Sequence, residues 1–125
     1  VIEALQNKLI EVSVFLDPDN KQIKVAQELG ISTVELHTGR YSLQTSKTLV
    51  NQSLNELVES ANFANQLGMH VHAGHGLDYE NVFGVASIEV IEELNIGHSI
   101  IAAALFEGLE NAVLRMRNTL LAARE

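Results

Sequence analysis

The chain has 125 residues, 46% of them hydrophobic, no cysteine, and a formal net charge of −8. That length bounds it to a single domain over residues 1–125, with apolar content enough for a packed core. The missing cysteines exclude disulfide and thiolate chemistry and fit a reducing, cytoplasmic setting; the acidic balance excludes nucleic acid as an expected partner; and the longest apolar run, Ser99 to Phe106, is too short to span a membrane. No basic-then-apolar leader opens the residues given, so none is expected.

Ile2, Leu5, Leu9 and Ile10 fall on one side of a helix over residues 2–10. EVSVFL, residues 11–16, is rich in β-branched residues and reads as the first strand. Asp17 and Pro18 suit the cap and first position of a helix, with Asp19 as a competing cap. Ile23, Ala26 and Leu29 give that helix its apolar stripe, and Gly30 closes it. The second strand lies at about 32–37, followed by a polar loop, RYSLQTS. Val50, Leu54, Leu57, Val58, Ala61 and Ala64 recur at helical spacing and predict a long helix from Lys47 to Leu67, ended by Gly68. MHVHA, residues 69–73, is the third strand, and Asp78 is a candidate cap for a short helix after it. The fourth strand is ELNIG, residues 93–97; the apolar helix HSIIAAALF follows, and after Gly108 a last helix runs on Leu109, Val113, Met116 and Leu120.

Strands alternating with helices imply an α/β protein of parallel (β/α) units. The strands read as apolar on both faces, as buried parallel strands do. Two architectures fit: a small doubly wound sheet, or the second half of a (β/α)₈ barrel. A reactive turn after each strand favours the barrel.

In either fold, reacting groups gather at the carboxyl ends of the strands. Those ends hold Asp17, Glu35, His37, His72, His75 and His98. Glu35 sits between Val34 and Leu36 and shares a face with His37. A carboxylate there is costly unless paired. It is either a structural partner for a neighbouring histidine or backbone group, or a catalytic charge. His75 stands between Gly74 and Gly76, where other groups approach closely. It is either a hydrogen-bonded turn residue or an acid/base, since imidazole moves protons near neutral pH. With His70 and His72 it spells HxHxxH, which leaves a zinc hydrolase open as an alternative. Gly97 and His98 open a helix whose free N–H groups favour an anion, unless they are a plain helix start. No Lys or Arg lies between Lys47 and Arg115, so a phosphate there has the backbone, His98 and Ser99, with Arg40 the one arginine in a loop on that face.

The segments VSVFLDPDNKQI, VELHTGRY, AGHGLDYENV and ELNIGHSIIAAALFEGLENAV resemble those of the pyridoxine 5′-phosphate synthases. The resemblance covers essentially the whole chain but only strands five to eight of that family's barrel. It implies condensation of 3-amino-2-oxopropyl phosphate with 1-deoxy-D-xylulose 5-phosphate to give pyridoxine 5′-phosphate, phosphate and water. It also implies no metal, no other cofactor, and assembly as a homo-octamer. By motif, His75 is the proton donor, Gly76 touches substrate, Gly97 and His98 bind the phosphate end, and Glu35 stabilises the transition state. The family's general-base histidine and glutamate and its phosphate-binding arginine belong to the first half. The chain opens on Val1, in keeping with a fragment or processed product. The expectation is a C-terminal half-barrel inactive alone; the rival from another class is a non-catalytic half-barrel that pairs with a partner chain.

Overall fold

The computed structural model describes residues 1–125. Four strands form one all-parallel sheet: β1 (Ser13–Leu16), β2 (Thr33–His37), β3 (His70–Gly74) and β4 (Ile91–Asn95). Their spatial order is β1-β2-β3-β4, the order of the chain. The helices are α1 (Ile2–Gln6), α2 (Asn20–Glu28), α3 (Gly39–Ser42), α4 (Lys47–Gln66), α5 (Val82–Ala86), α6 (His98–Glu107) and α7 (Leu109–Ala122). Right-handed crossovers that always step the same way keep their helices on one face of a sheet. A doubly wound sheet reverses its strand order partway. The sequential order here is therefore that of singly wound (β/α) units, and the doubly wound alternative is set aside.

The core lies between that sheet face and the helices. Val34, Leu36, Val71, Ala73 and Ile91 project from the strands and are buried. Ile23 and Ala26 of α2, Leu57, Ala61 and Ala64 of α4, Val82 and Val85 of α5 and Met116 of α7 meet them in one cluster. The long helix α4 follows its predicted stripe and its predicted span to within a residue, and Ser46 caps it by accepting from the Leu49 amide.

The other sheet face corrects the expectation of strands apolar on both sides. Phe15, Glu35, His37, His72, Glu93 and Asn95 lie there, partly or well exposed. Only Val34 and Leu36 of the TVELH strand are buried, so it alternates as a half-buried strand does.

Several boundaries also differ. α1 ends at Gln6, because Leu9 takes a left-handed φ of 59° and the Ile10 amide bonds back to the Leu5 carbonyl. Glycine is usual at such a stop, so the sequence carries no signal for it. Asp19, not Asp17, caps α2, its carboxylate accepting from the Lys21 amide at 2.8 Å. The RYSLQTS loop overlaps the short helix α3. Asp78 accepts from the amides of Glu80 and Asn81 and so closes a turn ahead of α5, which starts only at Val82. β4 runs over 91–95 rather than 93–97: a bulge between the Ile91 and Glu93 pairings breaks the two-residue period near its start, and Asn95 pairs with Gly74, the last residue of β3. Ile96 and Gly97 are thereby freed from the strand and placed beyond its carboxyl end.

Arg124 fastens the chain's end to the sheet. Its guanidinium donates to the carbonyls of Ala86, Ile88, Glu89 and Ile91, the last at 2.7 Å. Arg124→Met is expected to lower stability by about 1–2 kcal/mol, since several carbonyls lose a charged donor at once. Urea unfolding of the two chains measures it.

Candidate functional site

A cavity of about 560 Å³ opens at the carboxyl ends of β2, β3 and β4. It is lined by Phe15, Glu35, His75, Gly76, Leu77, Asn95, Ile96, Gly97 and His98. The five residues given roles by the motifs, Glu35, His75, Gly76, Gly97 and His98, are among them, whereas Asp17, His37 and His72, also read at strand ends, are not. The volume falls in the usual range for a small-molecule site.

Each arrives by a local device. Glu35 points to the open face because its strand neighbours Val34 and Leu36 are fully buried. Its carboxylate rests over Gly74: a Cβ on Gly74 would fall 2.5 Å from Glu35 Oε1 and 3.0 Å from the Asn95 carbonyl oxygen. The glycine ending β3 is the seat of the acid on β2. Glu35 is not the partner of a neighbouring histidine. Those rings hold other acids: His37 Nδ1 lies 3.0 Å from Asp17 Oδ1, His70 Nδ1 lies 2.9 Å from Glu92, and His72 Nδ1 lies 3.8 Å from Glu93. A carboxylate only accepts, so Nδ1 of His37 carries the proton toward Asp17.

His75 follows β3 with φ of 84°, a left-handed backbone rarely adopted by a residue with a side chain. Its ring meets the His37 ring edge-on with centroids 4.9 Å apart, and Phe15 meets the far side of His37 at 4.8 Å. Gly39 gives these rings their floor, since a Cβ there would lie 2.6 Å from His37 Nε2 and 3.0 Å from His75 Cδ2.

Across the cavity, α6 begins at His98 with Gly97 in the cap position, no capping side chain and no acid in its first turn. The first N–H groups of the helix have no intrahelical acceptor, and the dipole there favours negative charge. A methyl group on Gly97 would meet no protein atom within 4 Å; it would project into open space. Ser99 departs from expectation: its hydroxyl donates to the Leu77 carbonyl at 2.8 Å, tying α6 to the turn after β3. Arg40 departs too. It sits on α3, pairs with Glu56 at 3.2 Å and does not line the cavity. An anion in this cavity thus meets backbone amides and imidazole, with no Lys or Arg from these residues.

No three His, Asp or Glu side chains converge as a metal site would. His70 and His72 turn to separate glutamates on β4, while His75 packs on His37. The HxHxxH spacing does not become a ligand set, and the zinc hydrolase loses its geometric basis.

The sequence carries no clear sign of Asn95 or Phe15 at the site, nor that Gly74, read there only as a neighbour of His75, seats Glu35. The NIG tripeptide was the available signal for Asn95, but a strand placed two residues too late hid its position at the strand end.

Fold and cavity define a protein of parallel (β/α) units with a cavity of mixed polar and apolar lining at the carboxyl rim of its sheet. Residues 1–122 match the profile of a family described as pyridoxal phosphate biosynthesis protein PdxJ. Three relatives carry the name pyridoxine 5′-phosphate synthase. The chain is 45% identical to that of Sulfurihydrogenibium sp. over 124 residues, 99% of this chain and 51% of the relative. It is 47% identical to that of Legionella pneumophila strain Corby over 123 residues, 98% and 50% of the two chains. It is 46% identical to that of Prochlorococcus marinus strain AS9601 over 117 residues, 94% and 49%. The chain belongs to the PdxJ family, and it spans about half the length of the curated relatives it matches.

Two predictions follow from the packing. Gly74→Ala should expel the Glu35 carboxylate and press on the β4 backbone, costing about 1–3 kcal/mol in urea unfolding and displacing Glu35 in a crystal structure of the variant. Tyr41 is buried, and its hydroxyl donates to the Asn81 carbonyl at 2.6 Å. Burial, and secondarily the charge of Asp78, raises its pKa above the ordinary tyrosine value. The unfolded chain therefore gives up this proton first as pH rises. The stability Tyr41 contributes is complete below about pH 10 and is lost as pH climbs through the higher folded value. Tyr41→Phe should flatten that alkaline decline in stability, measured by urea unfolding at several pH values.

Proposed function

We propose that the chain is the second half of a (β/α)₈ barrel and supplies one wall of the active site of a pyridoxine 5′-phosphate synthase. The observation that carries the reading is the convergence of Glu35, His75, Gly76, Gly97 and His98 on one cavity. Family membership and the names of the relatives agree with it. The two outer strands, β1 and β4, are each paired on one side only, and the polar open face of the sheet turns inward once four more strands close the ring.

In this reading the cavity takes the phosphate end of 3-amino-2-oxopropyl phosphate or of the intermediate made from it with 1-deoxy-D-xylulose 5-phosphate. The N-terminal amides of α6 and the His98 ring receive the phosphate, and Gly97 leaves room for the backbone to approach it. His75 delivers the proton that lets a hydroxyl leave as water, a step imidazole performs near neutral pH. Glu35, fixed over Gly74 and unpaired with any histidine, stabilises positive charge developing on the condensing nitrogen. Gly76, with φ of 74°, keeps the turn beside His75 clear for substrate. The removal of protons falls to groups of the companion half, so this chain alone turns over little or no substrate. The chain works without metal or other cofactor in this reading, in the cytoplasm, as a homo-oligomer. Exposed Ile101, Leu105, Phe106 and Leu109 on α6 and α7 offer apolar area for subunits to cover.

The test is synthesis of pyridoxine 5′-phosphate by the complete barrel carrying His75→Asn. The expected loss in kcat is about 10²–10⁴-fold, with binding of inorganic phosphate retained. Near-normal turnover would defeat the assignment. Clear synthesis by the 125-residue chain alone would defeat the division of labour between halves.

A further inference from the structure

His75 holds a left-handed backbone although it is not glycine, and such strain persists only where the surroundings enforce it. The enforcing group is Thr38, the fully buried residue that follows β2. Its amide donates to the Gly74 carbonyl at 2.8 Å. Its hydroxyl oxygen lies 2.6 Å from the Gly74 carbonyl oxygen and 2.6 Å from that of His75, so one proton is shared between the carbonyls on either side of the strained residue. Ser42 adds a weaker contact to the His75 carbonyl at 3.3 Å, and its hydroxyl also reaches the Thr38 carbonyl at 3.0 Å.

We propose that Thr38 is a positioning residue whose hydroxyl locks the His75 backbone and thereby aims the imidazole into the cavity. The proposal rests on the proton-donor role assigned to His75 above. A threonine that only filled space would be replaced by valine, of nearly the same shape, with the same effect whatever stands at position 75. A threonine that holds strain behaves otherwise. With glycine at 75, φ of 84° carries no steric cost, so losing the hydroxyl releases no strain there and its full cost remains. The Gly74 carbonyl keeps the Thr38 amide and the His75 carbonyl keeps Ser42 in the valine variant, so folding survives while the aim of the ring is lost.

The experiment has two arms. Thr38→Val and Thr38→Ser are made with His75 present and in a His75→Gly background, and urea unfolding gives the folding equilibrium constants. Thr38→Val is expected to lower that constant about fivefold less beside His75 than beside glycine, because the unclamped histidine relaxes and recovers part of the cost, and Thr38→Ser to restore it. In the complete barrel, Thr38→Val should lower kcat by about tenfold or more while leaving KM unchanged, with Thr38→Ser again restoring turnover. Equal costs in the two backgrounds, or an unchanged kcat, would overturn the proposal. Near-normal turnover of His75→Asn would instead sink the proton-donor role; the folding arm needs no turnover and still decides whether Thr38 holds His75.

Discussion

The site depends on a turn that the backbone enters against its own preference. After β3 the chain passes through Gly74, His75 and Gly76, with left-handed φ values at the last two. Gly74 is the seat for the Glu35 carboxylate, and Gly76 sits so close to Ser42 that a Cβ would meet it at 2.9 Å. Between them His75 is held by the buried hydroxyl of Thr38 and by ring contact with His37, itself tethered to Asp17. The acid on one strand, the imidazole on the next and the glycine floor below are one packing arrangement.

The sheet explains why such a turn faces a cavity. Four parallel strands wound in sequence place every carboxyl end on one rim, and helices on one face leave the other face open. Burial is spent on Val34, Leu36, Val71, Ala73 and Ile91, which leaves Glu35, His72 and Asn95 free to be polar. The α6 N-terminus then completes the rim, and Ser99 pins it to the turn after β3. No Lys or Arg lines the cavity wall, so the positive potential this chain offers there is that of the α6 N-terminus.

Much of this was legible in the residues. The apolar stripe of α4, the alternation of TVELH and the glycines around His75 each state a local preference that tertiary packing follows. What escaped were features that only neighbours decide. Asp19 rather than Asp17 became the cap because Asp17 was drawn to His37 across twenty residues of chain. β4 stops at Asn95 where its partner β3 stops at Gly74, and this end, set by the neighbouring strand, hid Asn95. Leu9 adopts a glycine-like conformation that no pattern announces. The roles of Thr38, Gly39 and Gly74 arise from atoms of other strands meeting theirs, and a single sequence holds no record of such meetings.

The proposed function has one rim cavity accept one small phosphorylated molecule between Glu35, His75 and the start of α6. Its most direct measurement is a titration of the isotope-labelled chain with inorganic phosphate, followed residue by residue through amide and imidazole NMR shifts. Saturable shifts centred on Gly97, His98, Ser99 and the His75–Gly76 turn are the predicted result. Shifts centred on the Arg40–Glu56 groove, with the α6 N-terminus silent, would contradict it.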